Sequence, residues 1–186
     1  MTKHEYLDPS GISDSAEICL TALSRLYHDH ETGKHAAESL VVSCASAVEA
    51  YFDTVLTALI LRNRPGDNRL FTALLGEVRE DIFRTWDSRL TWLRQGFGIS
   101  IAGDSATQNF RYVVELRNSL VHGGGMLTDY QVRDFARACQ LKRQMSLHLG
   151  VHFKGRLILL MPGMGKKAVD LSRKIVCHLD EARGKA

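Results

Sequence analysis

Apolar positions recur at spacings of three and four along most of this chain, the period of helices packed against one another. The spacing predicts a first helix from near Ser13, with Ala16, Cys19, Leu20, Leu23, Leu26 and Tyr27 on one face. A long second helix is predicted from about Lys34 to Arg62. Its main seam is Val41, Cys44, Val48, Tyr51, Val55 and Leu59, and a second row holds Val42, Ala45, Phe52 and Leu56. Two apolar rows make it the central helix of the domain or a dimer element. Arg62 to Asp67 reads as a turn. One or two helices then run to about Arg94, and Gln95 to Asp104 reads as a Gly-rich loop.

A helix over Ser105–Val121 is halted by Gly123, Gly124 and Gly125. Thr128 with Gln131 forms a capping box, which starts a helix over Asp129–Leu149. At Val151 to Met161 the period changes to that of a small hairpin or single strand. A last helix follows Gly165, with Ala168, Leu171, Ile175, Val176 and Leu179 on one side. The expected fold is mainly α: a helical bundle over residues 1–150, then a β element and final helix over 151–186 packing on the same domain.

The 186 residues are 45% apolar, enough for a real core. Four dispersed cysteines without a CxxC pair argue against a disulfide framework or a structural zinc. The N-terminal stretch has no apolar signal-peptide core, and no apolar run approaches the roughly 18 residues of a membrane span. The expectation is a cytoplasmic protein without a membrane, metal or cofactor requirement. Charge is uneven: residues 1–132 hold 12 Lys/Arg against 17 Asp/Glu, and residues 133–186 hold 12 against 4. A basic C-terminal third on an acidic body suits a polyanion; it also suits a plainly solvated helix face.

Arg117 is the most unusual residue, because it shares a helix face with Phe110, Val113 and Leu120. Glu49 lies in the same way on the second apolar row of the long helix. A charge on an apolar stripe is expensive unless paired, so Glu49 and Arg117 are expected partners. The plain reading is a buried salt bridge. His122 adds another. On a continuous helix it points about 140° away from Arg117, but the glycines that follow can end the helix there and let the imidazole turn. An arginine can grip a phosphate, and an imidazole can exchange a proton near neutral pH. Together they suffice for metal-free RNA cleavage by a deprotonated 2′-hydroxyl. Asn118 and Ser119 offer hydrogen bonds to the phosphate or the imidazole.

The segment Arg117-Asn118-Ser119-Leu120-Val121-His122 resembles the RNxxxH motif of HEPN-domain proteins. The segment SAVEAYFDTVL at 46–56 is similar to that family's early helix with its acidic position, and WDSRLTWLRQGFGI at 86–99 precedes the motif helix in the family's order. The resemblance covers roughly residues 36–150. It implies a four- or five-helix bundle, commonly a homodimer whose two motifs share a cleft. It further implies a metal-independent endoribonuclease of toxin or defence type, with RNA as substrate and an antitoxin protein as a partner such systems employ. Carried over by position, Arg117 binds phosphate, His122 is the general base or acid, Asn118 is the polar residue after the Arg, and Glu49 supports Arg117. A non-catalytic HEPN-like module that binds RNA or a nucleotide, or that dimerises, is the alternative.

Two further signals carry less. The stretch Gly163 to Lys167 invites a phosphate-loop reading, but Leu160 and Lys167 stand where Gly and Ser/Thr belong. His28, His30 and His35 lack metal-ligand spacing and read as a polar turn.

Overall fold

The computed structural model describes residues 11–63 and 69–185. They form eight helices and a two-stranded antiparallel sheet. In chain order the helices are α1 (Asp14–Glu31), α2 (Ala37–Arg62), α3 (Arg69–Phe83), α4 (Trp86–Phe97), α5 (Ser105–His122), α6 (Asp129–Val132), α7 (Phe135–Leu149) and α8 (Met164–Gly184). The strands β1 (His152–Lys154) and β2 (Leu157–Leu159) lie between α7 and α8, with Phe153 opposite Ile158. The mainly helical fold with a late hairpin and a final helix is as the pattern predicts. The count differs from a four- or five-helix bundle.

α2 is the hub and packs against α1, α4, α5 and α8. Its two apolar rows are why: Leu40, Val41, Cys44, Ala45, Val48, Tyr51, Phe52, Val55 and Leu56 are all buried. Among the described residues α2 is also the helix long and apolar enough to cross a membrane by length and composition. α8 packs against α1, α2, α5 and α7, so the C-terminal segment belongs to the same core. A buried carboxylate ties the two ends of the chain. Asp180 of α8 accepts from the Ser13 amide at 2.9 Å, the Ser13 hydroxyl at 2.5 Å and the Tyr51 hydroxyl at 3.1 Å. Burial and the Asp180 charge push the Tyr51 phenol well above its usual range, so it stays a donor.

Two elements differ in extent from the sequence reading. α4 continues to Phe97 before Gly98 caps it in the left-handed region, φ 71°. The predicted helix over Asp129–Leu149 is two helices. The Asp134 carboxylate accepts from the Arg137 amide at 2.6 Å and caps a new start, which breaks the run after Val132. The turn read at Arg62 to Asp67 lies, from residue 64 on, outside the described residues.

Candidate functional site

α5 carries the motif. Its apolar face buries Phe110, Val113, Val114 and Leu116 against the core. That burial fixes the rotation of the helix and so the place of every polar side chain on it. Arg117 meets Glu49 of α2 as expected: its Nη2 donates to both carboxylate oxygens at 2.7 Å. Its Nη1 donates to the Asn118 side-chain oxygen at 3.0 Å. The pair is not sealed, with 22% of the Arg117 side chain and 17% of the Glu49 side chain exposed.

Ser119 is fully buried and does a different job. Its hydroxyl lies 3.0 Å from the Glu115 carbonyl and 2.9 Å from the Gln131 side-chain oxygen. The Gln131 amide in turn donates to the Glu115 carbonyl and carboxylate. Ser119 therefore holds α6 against α5 and is closed to a ligand.

α5 runs unbroken through His122, with Gly123 as its C-cap. The glycines do not swing the imidazole back toward Arg117. Two side chains five positions apart diverge by about 140° on such a helix. His122 is exposed and its imidazole forms no hydrogen bond or ion pair among the described residues. The glycines serve the loop instead. A Cβ on Gly123 would collide with the Met126 carbonyl oxygen, and Gly124 and Gly125 take φ of 57° and 83°. The turn is then stitched to the hairpin: Ile158 donates to the Gly125 carbonyl and Leu127 to the Arg156 carbonyl, both at 2.9 Å. The end of the motif helix is thus clamped by β2.

This end of the molecule also exposes apolar side chains. Val121, Met126, Leu157, Leu159 and Met161 are exposed. A groove of about 650 Å³ lies between the start of α2, the end of α5 and the hairpin, with Val42, Leu120, Val121 and Leu157 on its walls.

Two features escaped the sequence reading. Arg89 of α4 grips Asp53 of α2 with two bonds, Nε to Oδ1 at 2.6 Å and Nη2 to Oδ2 at 3.0 Å. The signal was present: Arg89 lies between Trp86 and Leu93 on one face, as Arg117 does among its own apolar neighbours. The second is Tyr130 on α6. The residue is 63% exposed, and the guanidinium carbons of Arg133 and Arg137 lie 5.6 and 5.5 Å from the centre of its ring. Because Gln131 is tied to Ser119, this aromatic and basic cluster sits beside the last turns of α5.

The cysteines offer no nucleophile in the core. Burial pushes the Cys19 thiol up to about 11 and the Cys44 thiol up to about 12. Cys139 is exposed, not a core residue. Among the described residues no group of three or more His, Cys, Asp or Glu side chains could hold a metal ion. Comparison with known proteins finds no matching family model, no matching curated protein and no matching solved structure.

Proposed function

We propose that this chain is a cytoplasmic HEPN-like endoribonuclease whose working site forms between two copies. The observation that carries the reading is the placing of two side chains on α5: Arg117 partly exposed and held by Glu49, and His122 exposed and unpartnered about one and a half turns later. Within one chain the two diverge. A second copy seated on the apolar surface around Val121 and Leu157 would bring a second Arg117–His122 set to the same place. The chemistry needs that doubling, because in-line cleavage takes one base and one acid.

One imidazole removes the 2′-hydroxyl proton. The 2′-oxygen then bonds to phosphorus as the bond to the 5′-oxygen breaks. The other imidazole, protonated beforehand, gives its proton to that leaving oxygen. The products are a 2′,3′-cyclic phosphate and a 5′-hydroxyl. Arg117 binds the non-bridging oxygens, where charge grows. Glu49 is a positioning residue that holds the guanidinium. Tyr130, flanked by Arg133 and Arg137, offers a surface on which an unpaired base can stack while the cations meet the backbone.

A second reading has one observation in its favour. Glu49 and Asn118 already occupy part of the Arg117 guanidinium, as in a purely structural pair. The chain would then be a non-catalytic RNA-binding module acting through the Tyr130 cluster. RNA cleavage in EDTA separates the two. The nuclease reading expects cyclic-phosphate ends from the native chain and none from Arg117→Ala or His122→Ala. Salt-sensitive RNA binding without cleavage would instead favour the module, with Tyr130→Ala weakening it.

A further inference from the structure

A second cleft, of about 480 Å³, opens between α4 and the first turns of α5. It is far from the motif: Thr107 and His122 are fifteen residues apart on one helix, about 22 Å at the helical rise. We propose that this cleft binds a small organic anion with a flat apolar body, a phosphate monoester or carboxylate, independently of any RNA chemistry at Arg117 and His122.

Three features of the lining ask for a hydrogen-bond acceptor there, and the last of them favours a charged one. The first is an unmet hydrogen-bonding demand. Among the described residues the buried side-chain polar atoms without a partner are Trp86 Nε1 and Thr107 Oγ1. Both residues line this cleft, and they are only 6% and 2% exposed. Native chains satisfy nearly all such groups, so two orphans on residues that line one cleft point to a missing partner. An indole N–H can only donate, so that partner must accept.

The second feature is the start of α5. Asp104 holds the N-cap position but makes no side-chain cap, because its carboxylate is turned to His178 Nε2 at 2.6 Å. No acidic residue stands in the first turn. The first-turn amides around Thr107 therefore lack a side-chain acceptor from the N-cap, and the Asp104 charge beside them is shared with His178.

The third is a pair of arginines in the wall. The Arg94 side chain forms no hydrogen bond or ion pair among the described residues. Arg111 is held by Asp87 at 3.0 Å, an exposed pair that competes weakly with an incoming anion. The indole of Trp86 and the side chain of Leu90 supply an apolar wall for the rest of the ligand. The two orphan atoms lie under the cleft surface, closed to water, so binding includes a small widening of the gap between α4 and α5.

The two indole N–H resonances, of Trp86 and Trp92, give a direct test. Phenyl phosphate is titrated into the full chain and both resonances are followed, with inorganic phosphate as the arm that lacks the apolar body. The proposal expects a saturable downfield shift of Trp86 alone, tighter for phenyl phosphate than for phosphate. It expects Arg94→Ala to weaken binding about tenfold or more, as loss of a charge-assisted bond does. No saturable shift, an equal shift of Trp92, equal affinity for the two probes, or unchanged affinity in a folded Arg94→Ala chain would each overturn it. Arg94 is exposed, so this variant leaves the core intact.

Discussion

α2 sends two carboxylates, one turn apart, to two arginines, and the two pairs are closed to different degrees. Asp53 receives Arg89 from α4 through two parallel bonds. There the arginine is the sealed partner, 8% exposed, and the carboxylate is open at 36%. Glu49 receives Arg117 from α5. There the arginine is the more open partner, 22% against 17%. It meets the carboxylate through one terminal nitrogen and reaches Asn118 with the other. The first pair is a clip that fastens α4 to α2. The second holds a guanidinium in place while leaving part of it available. A charged residue on an apolar stripe thus does not announce its role; the side from which solvent reaches the pair does.

The comparison breaks most easily at Asp53. Asp53→Ala leaves the Arg89 guanidinium buried without a partner and should cost about 3 kcal/mol in urea unfolding. A loss below about 1 kcal/mol would mean that Arg89 finds water and that the two pairs are alike. Arg117→Ala should cost less, about 1–2 kcal/mol, between the limits for exposed and buried pairs. It should abolish RNA cleavage in a chain that still melts cooperatively, and Arg117→Lys should restore stability more than cleavage, because lysine lacks the fork. Thiol labelling sharpens the contrast. Cys139 should react in the native chain, while Cys19 and Cys44 wait for the bundle to open. Their labelling should be faster in Asp53→Ala than in Arg117→Ala, in step with the stability lost. The smallest stability effect belongs to His122→Ala, within about 0.5 kcal/mol, because the side chain is exposed and unpartnered. Its effect on cleavage should nonetheless be complete.

The fold was legible where apolar rows were long. α1, α2, α5 and α8 follow from them, and the Thr128–Gln131 capping box appears as read. The Glu49–Arg117 pair was legible for the same reason, since two charges on facing apolar rows have few other ways to be satisfied. The break before α7 was hidden, because Asp134 reads equally as a surface residue until its carboxylate takes the Arg137 amide. Arg89 gave the signal that Arg117 gave, but on a short helix diluted by Asp87, Ser88 and Thr91. The direction of His122 was out of reach. It depends on whether α5 ends before or after it, and that is settled by a hairpin more than thirty residues later that clamps the glycine turn.

The most direct test of a site shared between two copies is subunit poisoning. Native chains are mixed with an excess of His122→Ala chains, allowed to exchange subunits and assayed for RNA cleavage in EDTA beside the same amount of native chain alone. The account predicts that cleavage falls well below that of the native chain alone, because a mixed dimer holds one imidazole where the cleft needs a base and an acid. Cleavage by the native chain that the exchanged excess leaves unchanged would contradict the shared site, and a native chain that cleaves no RNA would contradict the nuclease.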